Sequence, residues 1–260
     1  MEVQNVLFGP FIGDFSTEVI TTRPYVRWIY EVLRPEKIFV ATHSNRCFLY
    51  DWAETIPVFE DLSRDELNQN GVMHNSVSQK DLMLITKKIK SLVAEKDILH
   101  INVMYSKNPH WYPLYKKIYT PILLNEKKKK TKTILFIPTI NEKYAITKEI
   151  YDSLLEDFGE DVIVAGDMKT HLHENNVMFR NPTYFKDIYY DMVRLISNAK
   201  VVITPTSHWT LISQLQGTPV ISWGSMPRYY DGSQNDLILP EDIPLLNLKK
   251  LINTYINSIK

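Results

Sequence analysis

Residues 200–224, KVVITPTSHWTLISQLQGTPVISWG, carry the pattern that decides the fold. Val201 to Thr204 is a short apolar-leaning run that predicts a buried parallel strand. Pro205 has no N–H for a strand ladder and ends the run. Thr206 or Ser207 stands as an N-cap before a helix predicted over Trp209 to Gln216. Gly217 occupies the place of a left-handed glycine that closes a helix. Pro219 to Trp223 predicts a second buried strand, ended by Gly224. The stretch is therefore a β-α-β unit whose helix starts at the carboxyl end of a strand. Open α/β sheets bind anions there, because free N–H groups and the helix dipole both point at that spot.

Outward from this unit the same alternation continues. Upstream, strands are predicted over Thr133 to Ile137 and Asp161 to Ala165, and helices over Tyr144 to Phe158 and Tyr184 to Asn198. Met168 to Pro182 reads as a polar loop holding Lys169, His171 and His173. Downstream, Ser225 to Asp236 reads as a loop, and Pro240 to Lys260 contains a C-terminal helix. The first half repeats the scheme. Strands are predicted over Val6 to Phe8, Lys37 to Thr42, Pro57 to Glu60 and Ile98 to Val103. A glycine-punctuated loop covers 9–14, and a helix covers Glu18 to Leu33, with Pro24 either kinking it or marking its true first turn. Asn45 to Ala53 reads as a short helix or turn. Gln79 to Glu95 is amphipathic, with Leu82, Ile85, Ile89 and Leu92 on one face. The run EKKKKTK at 126–132 is the clearest break in composition and reads as a basic linker. The expectation is an α/β protein of two Rossmann-like domains with parallel sheets, residues 1–125 and 133–260, facing a cleft.

Composition narrows the function classes. The chain has 260 residues, 44% hydrophobic and 23% charged, with formal net charge +0, so no global charge recruits nucleic acid or membrane. A single cysteine, Cys47, rules out an intramolecular disulfide and fits a reducing compartment. No basic segment followed by a long apolar core opens the sequence, and no apolar run is long enough to span a bilayer. A cytoplasmic location is the expectation. The motif HLH at 171–173 lacks a nearby third ligand, so no metal is expected.

The order of elements resembles the GT-B glycosyltransferases, and within them the ADP-heptose:lipopolysaccharide heptosyltransferase group. Gly13-Asp14 in the first loop, Thr139-Ile140-Asn141-Glu142-Lys143 after the first strand of the second half, and the 200–224 unit with its Gly217-Thr218-Pro219-Val220 ending carry the likeness. The resemblance implies that Asp14 supplies a basic carboxylate, and that Thr139 and Lys143 hold donor phosphates. It also implies a nucleotide sugar (UDP-, ADP- or GDP-linked) as donor, inversion at the anomeric carbon, and no cofactor. Counting back from Gly217, Thr206 and Ser207 take the places where the group carries Asp-Thr/Ser, His208 the place of a glycine, and Leu211 the place of a histidine. The opening loop is also similar to that of phage and bacterial proteins of unassigned substrate.

The residues themselves support this chemistry. Sugar transfer needs a base for the acceptor hydroxyl and stabilisation of the departing diphosphate. Asp14 is the first candidate base and Glu18 the second, although each also fits a bland role as a turn aspartate or a first-turn helix acid. Thr206, Ser207 and His208, assisted by Lys143 or Lys169, are candidates for the diphosphate. Capping alone also explains Thr206 and Ser207. Lys116, Lys117, Lys127 to Lys130 and Lys132 follow or interleave with Trp111, Tyr112, Tyr115 and Tyr119. Such a mixture occurs at nucleic-acid surfaces and equally in solvated linkers. Two rival readings therefore accompany the first. One is a phage enzyme that glycosylates a hydroxymethylated base in DNA, with Trp111, Tyr112, Lys116 and Lys117 contacting the acceptor. The other is a non-catalytic nucleotide- or glycan-binding module.

Overall fold

The structure, a computed structural model, describes residues 5–11, 15–59, 79–96, 98–101, 118–124, 126, 128–138, 147–166, 177, 187–224, 236–240 and 243–259. The chain forms two compact units, Met1–Leu123 and Leu124–Lys260.

In the first unit, strands β1 (Asn5–Phe8), β2 (Lys37–His43), β3 (Glu54–Phe59) and β4 (Leu99–Ile101) form one sheet in the order β3-β2-β1-β4. Every described pairing in it is parallel. Between β1 and β2 the chain makes an α-helical turn, Phe15–Thr17, then a π-helical turn, Glu18–Thr22, and then helix α1, Arg23–Leu33. Pro24 therefore sits in the first turn of the regular helix, directly after the π-helical turn. Helix α2 (Gln79–Lys96) lays Ile85 and Ile89 on a core of Leu7, Phe39, Ala41 and Ile98. A 3-10 helix, Ser44–Tyr50, follows β2.

The second unit has strands β5 (Ile134–Phe136), β6 (Val162–Val164), β7 (Val201–Pro205), β8 (Val220–Trp223) and β9 (Asp236–Leu239) in the order β6-β5-β7-β8-β9. All of these pair in parallel. Helix α3 (Thr147–Phe158) follows β5, α4 (Ile188–Asn198) precedes β7, α5 (His208–Gln216) joins β7 to β8, and α6 (Leu245–Ser258) closes the chain. Phe136, Ile203, Ile221 and Trp223 meet Ile150 and Leu154 of α3 and Leu248 and Ile252 of α6. The near-continuous apolar runs of β7 and β8 reflect burial on both faces of the sheet.

Two details differ from expectation, and a third adds to it. Pro205 is the last rung of β7, opposite Trp223, and the next N–H, that of Thr206, continues the ladder to the Trp223 carbonyl at 2.9 Å. Strand β9 was not expected at all, because four residues, DLIL, are too short to show a period. In the basic run, Lys128 donates to the carbonyl of Gln216 at the end of α5. Lys130 donates to the Ala199 carbonyl and to Thr218 Oγ1, both at 3.2 Å. Partial burial lowers the ammonium pKa of both. Composition suggests a solvated linker there. Both lysines are exposed, and they also lie at the C-termini of two helices, whose negative dipole ends attract cations.

Two glycines permit the backbone, for different reasons. Gly9 has φ +110, and a Cβ there would run into the carbonyl oxygen of Ala41. Gly217 has φ +64 with open space around the missing Cβ. Gly9→Ala is therefore expected to lose more than about 2 kcal/mol and Gly217→Ala about 1 kcal/mol, read by urea unfolding. Equal losses at the two positions would contradict this account.

Candidate functional site

A strand order that reverses direction leaves a crevice at the carboxyl ends of the two strands flanking the reversal. In the second unit those strands are β5 and β7. Ile137 N–H still donates to Ile203 O at 2.9 Å, so the chain leaving β5 through Pro138 towards Thr139 starts beside the end of β7. From β7 the chain passes Thr206 into the N-terminus of α5.

That N-terminus is built from hydroxyls. Ser207 is the N-cap, and its Oγ accepts from Trp209 N–H at 3.3 Å. Thr210 Oγ1 reciprocates by accepting from Ser207 N–H at 3.2 Å, which completes a capping box. Thr210 Oγ1 also lies 3.1 Å from Ser222 Oγ, and Ser222 Oγ donates to Thr206 Oγ1 at 3.1 Å. Thr206, Ser207, Thr210 and Ser222 therefore form one chain of polar contacts across the ends of β7 and β8. Thr210 and Ser222 were absent from the sequence reading. Thr210 was findable as the third residue of the helix after a serine cap. Ser222 was findable as a lone hydroxyl at the end of an apolar strand. His208 is the first helical residue, half-buried, with its ring 4.2 Å from that of Trp209. Leu211 is fully buried in the core, so the imidazole at this end of the helix belongs to position 208.

In the first unit the order reverses between β1 and β4. The loop that leads to Asp14 leaves β1, and the aromatic, lysine-bearing segment leaves β4. The start of the loop is pinned on both sides. Gly9 N–H donates to Ile101 O at 3.1 Å, Phe11 N–H donates to Ala41 O at 3.0 Å, and His100 Nε2 lies 2.6 Å from Gly9 O.

Glu18 is where the structure departs most from the sequence reading. Expected as the second candidate base or as a first-turn helix acid, it is fully buried in the π-helical turn. Its Oε1 accepts from Thr42 Oγ1 at 2.6 Å and from Tyr50 O–H at 2.9 Å, and its Oε2 accepts from Arg46 Nη1 at 3.1 Å. A general base must reach the proton that it abstracts. This carboxylate is instead occupied by three side chains that spacing could not bring together. Burial raises its pKa above the ordinary 4.5, opposed by Arg46 and by the hydrogen bonds. Arg23 is equally buried and donates to three carbonyls, those of Leu49, Thr120 and Pro121, at 2.6, 2.7 and 2.8 Å. Burial lowers its pKa to about 10.

Asp14, Thr139, Lys143, Lys169, Trp111, Tyr112, Lys116 and Lys117 lie outside the described residues. Among the described residues no cluster of His, Cys, Asp and Glu could hold a metal ion, and no helix is long and apolar enough to cross a membrane.

Solved structures resemble the whole chain. The glycosyl transferase family 9 structure from Veillonella parvula superposes with a TM-score of 0.56, at 11% identity, over 99% of each chain. The fold is that of the GT-B glycosyltransferases. The E. coli heptosyltransferase WaaC with ADP gives a TM-score of 0.52 at 12% identity, over 97% of this chain and 100% of that one. WaaC with ADP-2-deoxy-2-fluoro heptose gives 0.50 at 12% identity, over 98% and 99%. No family model matches the sequence, and no curated protein matches it. In this GT-B fold the two strand-order reversals collect the expected first loop in one unit and the capped helix in the other.

The raised pKa of Glu18 has a stability consequence with a definite sign. Between pH 4.5 and the raised value, the folded chain holds a proton that the unfolded chain has released. The contribution of this group is thus full at low pH and is lost as pH rises through the raised pKa. The stability advantage of the wild type over Glu18→Gln should shrink as pH is raised through that window in urea-unfolding titrations. An advantage that grows with pH would reverse the assignment.

Proposed function

We propose that the chain transfers a sugar from a nucleoside-diphosphate donor to an acceptor hydroxyl, with inversion and without a metal. The observation that carries this reading is the hydroxyl-lined N-terminus of α5 at the strand-order reversal of the second unit. A helix N-terminus there offers N–H groups and a positive dipole end to the diphosphate. Thr206, Ser207 and His208 hold the phosphates, and Thr139, Lys143 and Lys169 add hydrogen bonds and positive charge as the leaving group forms. Residues 133–260 thus serve as the donor domain and residues 1–125 as the acceptor domain. ADP is the first diphosphate to test, because WaaC is described with ADP.

Asp14 is the base. As the acceptor oxygen bonds to the anomeric carbon, its proton passes to the Asp14 carboxylate. The bond from the anomeric carbon to the diphosphate oxygen breaks, and its electron pair leaves with the nucleoside diphosphate. One displacement with one base inverts the centre. Glu18 takes no part as a base, since its oxygens are engaged and buried.

For the acceptor we favour a glycan over DNA. Of the lysine run that suggested a phosphate-binding surface, Lys128 and Lys130 are committed to helix ends. Charge reversal at Lys129 and Lys132, both exposed, should leave DNA affinity and its salt dependence unchanged.

Asp14→Asn should abolish transfer, by at least about a hundredfold in kcat, with the thermal shift produced by the nucleotide sugar retained. A screen of UDP-, ADP- and GDP-sugars supplies the donor. If none of them raises the melting temperature or is turned over, the enzymatic reading fails. Donor binding without turnover would leave a non-catalytic binding module.

A further inference from the structure

A serine or threonine hydroxyl has one proton to donate and two lone pairs that accept. That count fixes the direction of the polar contacts at the start of α5. Ser222 Oγ donates to Thr206 Oγ1 at 3.1 Å. Its single proton is then committed, so the 3.1 Å contact between Thr210 Oγ1 and Ser222 Oγ runs from Thr210 to Ser222. Thr210 Oγ1 in turn accepts from Ser207 N–H at 3.2 Å. The three bonds therefore point one way, from the Ser207 amide through Thr210 and Ser222 to Thr206. Ser222 and Thr210 are buried, so neither hydroxyl can exchange its partner for solvent. Thr206 and Ser207 are half-buried. Thr206 Oγ1 is engaged as an acceptor, and among the described residues nothing accepts its own proton. Ser207 Oγ accepts from Trp209 N–H at 3.3 Å, and its proton likewise has no acceptor among the described residues. Bonds in such a chain polarise one another, so a hydroxyl that already accepts becomes a better donor.

We infer that Ser222 and Thr210 are positioning residues that turn Thr206 into a one-way donor to a diphosphate oxygen. The chain holds the Thr206 oxygen as an acceptor on the β8 side and leaves its proton for the ligand. A diphosphate suits such a group, because its ionised oxygens accept hydrogen bonds and give none. The inference rests on the start of α5 being the diphosphate site of the proposed reaction, and it assigns roles within that site. Thr206 touches the ligand. Ser222 and Thr210 act through Thr206 and touch no substrate.

The test is isothermal titration calorimetry of the full-length chain with ADP, UDP, GDP and pyrophosphate. Thr206→Val, which keeps the volume and removes the donor, should weaken binding by about ten- to a hundredfold. Thr206→Ser should restore most of it. Ser222→Ala should weaken binding by about three- to tenfold. The same Ser222→Ala change made on top of Thr206→Val should weaken it no further, because its effect passes through Thr206. A Ser222 with a merely structural role would give equal losses in both backgrounds. That result, or folded variants with the wild-type Kd, would overturn the inference. If Ser222→Ala does not fold, Thr210→Val carries the same cycle. A chain that binds a diphosphate, obeys the cycle and transfers no sugar would uphold the inference and end the transferase reading. A wild type that binds none of the four ligands would overturn both.

Discussion

Parallel strands cannot be joined by a tight hairpin. Each must be left by a crossover that returns to the starting end, so all connections that follow strands emerge at one edge of the sheet. Every described strand pair in both units obeys this constraint. It sets the carboxyl ends of β1 and β4 side by side at one edge of their sheet, and those of β5 and β7, with the start of α5, at one edge of the other. The reversal in strand order then opens a crevice at that edge.

Polar groups at these edges are arranged by two different physical rules. At α5 the groups are neutral and local. Ser207, Thr210, Ser222 and Thr206 satisfy one another over a span of 17 residues, and the helix dipole supplies the electrostatic bias. Around Glu18 a charged pair, Glu18 and Arg46, is fully buried, and the partners of Glu18 come from two elements, β2 and the 3-10 helix that follows it. A neutral hydroxyl chain is suited to receiving an anion, because it adds donors without a fixed counter-charge. A buried ion pair is suited to holding backbone in place, because breaking it leaves an uncompensated charge.

The second unit was legible because its signals are local. Gly217 as the left-handed cap, the serine cap and the apolar runs of β7 and β8 are all decided within a few residues. Strand β9 was missed because its four residues are stabilised by pairing with β8 and carry no period of their own. The contacts of the basic run were illegible for a related reason. Composition registers charge but not the helix ends that Lys128 and Lys130 reach, 88 and 69 residues away in the chain.

The sequence by itself determined the α/β class, the alternation into two parallel-sheet halves, the helix at the end of β7 and the glycines that its geometry requires. These follow from period, capping and backbone sterics, all short-range. Only the tertiary structure decided that Glu18 is buried and paired with Arg46, that Thr210 and Ser222 join the hydroxyl chain, and that lysines at 128 and 130 reach helix ends. Each of those depends on which side chains β-strand order and burial bring into contact, and the energy of a buried charge is set by such neighbours rather than by residue type.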